Sequence, residues 1–256
     1  MINNTIIYEQ PLNELIRVCL RLEQLFQQID QLLEDSSILG TRQTILAVIN
    51  LLNLLDRPDL KSKLAKELSH QISLLARLEH TPDVDRNKLH ELVAQIDELS
   101  RYFIESSGKI GQQLRDIEML NNLRLQLATP GGGCSFDIPV YHYWLQLPAI
   151  DRQQTIRTWL EEFNKIRLAI TILLQLIRES SKSQRKTAEK GFYQELLDAQ
   201  LNLRLIRVGL SPDSETFPEI SVGRHFVGVR FYIPDIYNRP TQYPQVLNFW
   251  ISYCSS

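Results

Sequence analysis

The sequence predicts an α+β protein with a mostly helical bundle domain over residues 10–182 and a smaller antiparallel β-domain made of residues 1–9 together with 183–256. Two observations support this class: apolar residues recur at helical spacing through the first two-thirds of the chain, and from about residue 187 they alternate as in strands. A third observation is the short β-type run Thr5–Tyr8. Because so short a strand is not stable alone, we expect it to pair with strands near the C-terminus.

Each helix is predicted from an apolar stripe and from the turn residues that flank it. Pro11 suits the first turn of the first helix, which is expected to run from Leu12 to about Leu33. The further predicted helices are Thr41–Leu55, Leu60–Glu79, one whose stripe runs from Leu89 to Phe103, Gln112–Ala128, Val140–Leu147 and Asp151–Ser180. Thr81-Pro82-Asp83 is expected to end the third helix and cap the fourth. Strict heptads are not sustained, which favours a packed bundle over a coiled coil.

The run Pro130–Pro139 contains three consecutive glycines, which permit backbone angles and close approaches that other residues forbid. A phosphate-binding loop would need a lysine and a hydroxyl after the last glycine, whereas Cys134 and Ser135 follow here. No dinucleotide fingerprint follows a strand. We therefore interpret the run as a tight structural turn.

Four strands are predicted in the C-terminal part, at residues 191–194, 201–208, 226–233 and 246–251. Arg204 alternates with two leucines, so its side chain is expected to face away from the core. The polar segment Lys182–Lys190 is interpreted either as a flexible loop with an ordinary charged surface or as part of a cationic surface.

Composition restricts the function more than it specifies it. The formal net charge of −2 predicts no general affinity for nucleic acid or membrane, so electrostatic recognition requires a local cluster. The N-terminus lacks signal-peptide features, and the apolar run from Leu168 to Ile177 is too short to span a membrane. Three scattered cysteines indicate free thiols in the cytoplasm, and the histidine spacing matches no metal-binding motif, so no cofactor is expected.

Basic residues are the remaining candidates for a site. They occur on the first helix as Arg17 and Arg21 and in the strand region as Arg204, Arg224 and Arg230. One interpretation is a cationic surface for an acidic peptide, since guanidinium groups bind carboxylates in pairs. The alternatives are an ordinary charged surface, a nucleic-acid-binding adaptor that uses the same arginines, and a thiol enzyme with Cys134 and His142 as a thiolate pair.

Several segments resemble the ZapD family of FtsZ-associated bacterial cell-division proteins. They are Tyr8–Glu14 with Arg17 and Arg21 behind it, Ile110–Arg115, Pro130–Pro139 with His142–Leu145, and Gly191–Gln194. The resemblance covers essentially the whole chain in collinear order. It implies a non-enzymatic cytoplasmic homodimer at the midcell division site that binds the C-terminal tail of FtsZ and bundles its protofilaments. It implies no nucleic acid, membrane or small-molecule substrate as a partner.

The family's basic binding positions match Arg17, Arg21, Arg115, His142, Arg224 and Arg230, and Arg204 is added because of its place in the strand region. Glu118 and Phe226 depart from the family pattern at two further basic positions. If the N-terminal strand joins the C-terminal sheet, the basic residues of both regions are expected to form one pocket at the domain junction.

Overall fold

The structure is a computed structural model that describes residues 5–79, 81, 84–198 and 202–255. The chain divides into two compact units. The β-unit comprises Met1–Arg17 and Leu174–Ser256, and the helical unit comprises Val18–Leu173. Helices fill the first part of the chain and antiparallel strands the last part, so the predicted α+β class is confirmed.

The helices follow one another through the first two-thirds of the chain, as the apolar stripes predicted. They are α1 (Glu14–Leu32), α2 (Ile38–Leu54), α3 (Leu60–Ala76), α4 (Arg86–Glu105), α5 (Gln112–Arg115), α6 (Glu118–Gln126), α7 (Pro139–Leu145), α8 (Ala149–Glu161) and α9 (Asn164–Glu179). Asp85 caps α4, while Pro82 and Asp83 lie outside the described residues. In the described part of the chain, no helix is both long enough and apolar enough to cross a membrane.

The start of the first helix differs from the prediction. Pro11 is the last residue of a strand, because its pairing with Leu205 extends the sheet to that position. Helix α1 begins three residues later, where the Asn13 Oδ1 accepts the Ile16 N–H at 2.9 Å. That side chain satisfies one of the backbone donors left free at a helix start.

Two helices that were predicted as continuous are interrupted. The predicted helix Gln112–Ala128 is wrong in its middle, since Ile117 adopts an extended backbone between α5 and α6. The predicted helix Asp151–Ser180 breaks between α8 and α9 at Phe163, which is 1% exposed. The Phe163 ring lies so close to Gly111 that a Cβ on that glycine would stand 2.8 Å from the ring edge. Close packing of this ring therefore accompanies the break, although the apolar period continues across it.

The β-unit contains two antiparallel sheets whose strands come from both ends of the chain. The strands are β1 (Ile6–Pro11), β2 (Gln184–Ala188), β3 (Phe192–Leu196), β4 (Leu203–Leu210), β5 (Phe217–Val222), β6 (Phe226–Ile233), β7 (Thr241–Gln242) and β8 (Leu247–Ser255). The first sheet has the order β1-β4-β8-β2, and the second has the order β3-β6-β5 with β7 paired to β6. Strand β1 pairs antiparallel with β4 from Ile6 opposite Leu210 onward, which confirms that the two ends of the chain pair.

One apolar cluster holds the two sheets together. It combines Val208, Phe249 and Ile251 of the first sheet with Val229 and Phe231 of the second. The rings of Phe231 and Phe249 lie 4.9 Å apart, within the range favoured for aromatic pairs.

Strands β2, β5 and β7 were not predicted. The interpretation of Lys182–Lys190 as a flexible loop is wrong for Gln184–Ala188, which pairs with β8 at the edge of the first sheet. Only Ala188 in this strand is buried, so the strand lacks the alternating apolar pattern that would have indicated it. The first residue of the predicted strand 201–208, Leu201, lies outside the described residues.

The glycine run forms a tight turn. Gly131 and Gly133 have φ angles of 76° and 85°, values that favour glycine. A Cβ on Gly132 would lie 1.9 Å from the Gln126 carbonyl oxygen. The Asp137 Oδ2 then accepts the Cys134 N–H at 2.9 Å, so the run is structurally constrained.

Candidate functional site

The predicted basic residues fall into two sets, one in each unit. Arg17, Arg204, Arg224 and Arg230 belong to the β-unit, and Arg21, Arg115 and His142 belong to the helical unit. The single pocket expected from the sequence stays a prediction.

In the helical unit, Arg21 lies on a cavity of about 630 Å³ between α1 and α2, which we call the α1–α2 groove. Its lining includes Leu20, Arg21, Leu25, Asn50, Asn53 and Leu54. Arg21 is exposed, and within the described residues its side chain makes no ion pair or hydrogen bond. The groove therefore combines an apolar floor with a guanidinium group whose donors remain available.

A group of charged residues, the Asp56 cluster, lies just beyond the end of α2. The Asp56 carboxylate is 2.6 Å from Lys109 Nζ, 3.5 Å from Arg124 Nη2 and 3.8 Å from Arg115 Nη1. Three cations around one carboxylate leave the cluster with a net charge of +2. The hydrogen bond from Lys109, followed by the charges of the two arginines, lowers the pKa of Asp56, although partial burial opposes this.

The Asp56 cluster is attached to the wall of the α1–α2 groove through α2. Arg124 Nε donates to the Asn53 Oδ1 at 3.0 Å, and Asn53 lines the groove. Arg115 Nη2 donates to the Leu52 carbonyl at 2.7 Å. These bonds place the positive charge of the cluster beside the α2 end of the groove, where it favours an acidic ligand.

Arg115 is less accessible than the sequence suggested. Its side chain is 8% exposed, and burial is the main cause that lowers the pKa of its guanidinium. In the structure, Arg115 therefore holds the end of α2 through the Leu52 carbonyl, and its buried positive charge contributes to the Asp56 cluster. Sequence reasoning missed Lys109 and Arg124, because their distances along the chain from Asp56 carry no periodic signal.

His142 and Cys134 do not form the pair that a thiol enzyme would need in the described residues. His142 is exposed on α7. The Cys134 thiol donates to the Gly131 carbonyl at 3.3 Å, and no hydrogen bond joins it to His142. Among the described residues, the thiol is therefore held by a backbone carbonyl and not paired with this imidazole.

In the β-unit, Arg17 and Arg224 line one cavity of about 710 Å³, which we call the β-unit cavity. Its lining also includes His225, Asn202, Asp198 and Gln10. Arg17 Nη1 donates to the Glu14 Oε2 at 2.9 Å, whereas Arg224 is exposed and unpaired among the described residues. The pairing of β1 with β4 brings these residues, which are remote in sequence, to one place.

Arg204 and Arg230 have different surroundings in the same unit. The Arg204 carbonyl accepts the Leu12 N–H at 2.9 Å, next to an irregularity in the pairing of β4 with β8. Arg230 is exposed, and its guanidinium carbon lies 5.2 Å from the centre of the Phe192 ring. The contact with the ring holds this exposed guanidinium in place.

Comparison with known proteins shows the class to which the chain belongs. Residues 20–230 match the family model described as "ZapD: Cell division protein". The proteins named cell division protein ZapD include one from Coxiella burnetii, 37% identical over 256 residues and covering 99% of each chain. The proteins of the same name from Aromatoleum aromaticum and Shigella boydii are 34% and 35% identical, covering 97% of this chain and 96% and 98% of their own.

These similarities identify a cell division protein. The chain belongs to the ZapD family.

Proposed function

We propose that this chain is a non-enzymatic adaptor that binds the C-terminal tail of FtsZ and crosslinks FtsZ protofilaments at midcell. The observation that carries the proposal is the α1–α2 groove, where the unpaired Arg21 borders an apolar floor beside the net positive Asp56 cluster. Membership of a cell-division family supports the same conclusion.

The groove suits a peptide that has both carboxylates and apolar side chains. An apolar residue of the tail buries surface against Leu25 and Leu54, at about 25 cal/mol for each Å² removed from water. A neighbouring carboxylate takes the two-pronged hydrogen bond that the Arg21 guanidinium offers. Because the groove is open and close to bulk solvent, we expect binding to weaken as salt increases.

The β-unit arginines form a second, separate set of proposed tail-binding residues. Arg17 and Arg224 share the β-unit cavity, and Arg230 presents an oriented guanidinium on β6. They would bind further carboxylates of the same tail or of a neighbouring tail. His142 and Arg204 remain proposed contributors from α7 and β4.

Bundling requires two tails to be held at once, and a homodimer with one site in each copy provides this. Weak individual contacts then become strong along a filament, because a filament presents many tails at a high local concentration. The protein therefore needs only modest affinity for one tail to act at midcell.

Co-sedimentation with FtsZ filaments tests the proposal, with intact FtsZ compared with FtsZ that lacks its C-terminal tail. We expect the protein to pellet with intact filaments and to stay in the supernatant with tail-deleted ones. Arg21→Ala should weaken binding about tenfold or more, because it removes a two-pronged, charge-assisted hydrogen bond. Arg157→Ala, which removes an exposed arginine on α8, is the matched control and should bind as the unmodified chain does.

Two results would contradict the proposal. Equal pelleting with intact and tail-deleted FtsZ would exclude capture of the tail. Tighter binding to duplex DNA than to the FtsZ tail at the same moderate salt concentration would favour the nucleic-acid alternative.

A further inference from the structure

A second cavity in the β-unit, separate from the residues proposed to bind FtsZ, contains two arginines that share one carboxylate. Arg178, in the last turn of α9, donates to Glu9 through Nε at 2.9 Å and through Nη2 at 2.8 Å. Arg207, directly opposite Glu9 in the pairing of β1 with β4, has its Nε 2.9 Å from the Glu9 Oε1. We call this cavity the Glu9 pocket. All three side chains are largely buried, at 17% to 24% exposed.

The contact of Arg207 with Glu9 is an ion pair without a hydrogen bond. The Arg207 Nε is buried, and in the described part of the chain its N–H finds no acceptor. The carboxylate is already engaged by both prongs of Arg178, which leaves no well-oriented acceptor for a second guanidinium. A buried donor without an acceptor is unfavourable, and Glu9 already lies against this Nε. Arg207 also lines the pocket, and its Nη1 and Nη2 make no hydrogen bond among the described residues, so these donors can bind a further oxyanion.

The shape and lining of the pocket indicate what size and polarity of molecule fits. The pocket encloses about 400 Å³, within the usual range of small-ligand sites. Ile7 and Gly209 form an apolar part of the wall, while Ser181, Ser183 and Ser252 place hydroxyl groups around it. The wall accommodates the body of a small organic molecule, and the hydroxyl groups can donate to an anion.

The charges around the pocket balance, so an anionic ligand must be held by directed hydrogen bonds, and a singly charged one is opposed least. Arg178 and Arg207 contribute two positive charges, and Glu9 and Glu179 contribute two negative ones. The Glu179 Oε1 is held by the Gln175 Nε2 at 3.1 Å, and Glu9 is held by Arg178. Among these charged groups, Arg207 is therefore the one with hydrogen-bond donors that have no acceptor in the described residues. Carboxylates and phosphates both match the guanidinium fork, but a phosphate carries nearly two negative charges at neutral pH, which Glu9 and Glu179 repel more strongly than the single charge of a carboxylate.

We propose that the Glu9 pocket binds a small organic monocarboxylate, with its carboxylate on Arg207 and its apolar body against Ile7. This site lies on the β1, β4 and α9 side of the β-unit and uses none of the residues assigned to the FtsZ tail. The proposal does not depend on the proposed function.

A nuclear magnetic resonance titration of the full chain with benzoate tests the proposal. The reporter is the Nε–H signal of Arg207, assigned by its loss in the Arg207→Met variant. We expect a saturable shift of this signal. Arg207→Met should weaken binding, followed by backbone signals of β4, about tenfold. Arg185→Met, which removes an exposed arginine of β2 outside the pocket, is the matched control and should bind benzoate as the unmodified chain does.

A second variant keeps the test decisive if Arg207→Met does not fold. Ile7→Trp leaves both arginines in place and fills the apolar part of the pocket, so it should abolish binding while the Arg207 signal remains. The proposal is overturned if benzoate causes no more shift than chloride at equal ionic strength. It is also overturned if inorganic phosphate binds more tightly than benzoate, or if Arg185→Met loses as much affinity as Arg207→Met.

Discussion

Arg152 is the residue whose removal should most disturb the helical unit. Its side chain is 4% exposed and makes hydrogen bonds to neutral groups from three parts of the chain. Nε donates to the Thr41 hydroxyl at 3.1 Å and Nη2 to the Ser36 carbonyl at 2.9 Å. Nη1 donates to the carbonyls of Leu145, at 3.2 Å, and Leu147. These last carbonyls lie at the C-terminal end of α7, where the helix dipole favours a cation.

The expected loss in the free energy of unfolding follows from the contacts that the Arg152→Met substitution removes. The thioether keeps much of the apolar volume but replaces none of the hydrogen bonds. Each buried carbonyl left without a donor costs about 1–3 kcal/mol, and water that enters the site recovers part of this. Four acceptors lose a charged donor at once, and with partial rescue by water the total comes to about 3–5 kcal/mol. We expect that loss here, which is a large fraction of the roughly 5–15 kcal/mol that stabilises a typical protein.

Urea unfolding followed by circular dichroism at the helical band measures the change. Arg157→Met, on the same helix but exposed, is the control and should change the free energy of unfolding by no more than about 0.5 kcal/mol. Arg152→Lys should be intermediate, because a lysine keeps the charge but cannot reach all three segments at once. The reasoning is wrong if Arg152→Met and Arg157→Met unfold at the same urea concentration.

Three further predictions concern packing, charge and binding. Gly111 and Gly131 have similar φ angles of 73° and 76°, but of the two only Gly111 has packed side chains with which a Cβ would collide. Substitution by alanine should therefore lower the free energy of unfolding by about 1–2 kcal/mol at Gly131 and by a further 1–3 kcal/mol at Gly111. Equal urea midpoints for the two variants would refute this. The pKa of Asp56 is lowered in the folded protein. The ionised Asp56 carboxylate therefore stabilises the fold fully above the usual aspartate pKa of about 4, and this stabilisation is lost as the pH falls through the pKa of the folded state. Asp56→Asn should thus cost about 0.5–1 kcal/mol at neutral pH and nothing in strong acid, whereas a loss independent of pH would indicate another cause. Arg230→Glu should reduce co-sedimentation with FtsZ far more than Arg185→Glu does, with the circular dichroism spectrum unchanged; if that spectrum collapses, Arg230 is structural.

The sequence predicted best where a feature depends on neighbouring residues. Helices α2, α3 and α4 have apolar stripes that a single period describes, and the predicted ranges agree with the structure to within a few residues. That β1 joins strands from the C-terminal part of the chain was also predicted, because a short strand before a helix needs a partner from elsewhere; that this partner is β4 was not. The edge strand β2 was not predicted, since four of its five side chains lie away from the core and carry no alternating signal.

The candidate site was predicted in part, and for a physical reason. Arg21 and Arg224 stand at family positions and are exposed with available donors. The Asp56 cluster was not predicted, because its members come from separate elements that only the packing of α2 with α5 and α6 brings together. Exposure also depends on packing, which is why Arg115 is a nearly buried support for α2 and not a surface residue.

By itself, the sequence determined the α+β class, the family, the helical stripes and the joining of the two chain ends. The family rests on the resemblance of its motifs. The class, the stripes and the joined ends follow from periodicity and from the need of each amphipathic element to bury one face. Only the tertiary structure decided which basic side chains are available, which are held by carbonyls or carboxylates, and where cavities remain. Hydrogen bonds and ion pairs between distant residues depend on distances of a few ångströms, and those distances exist only after the elements have packed.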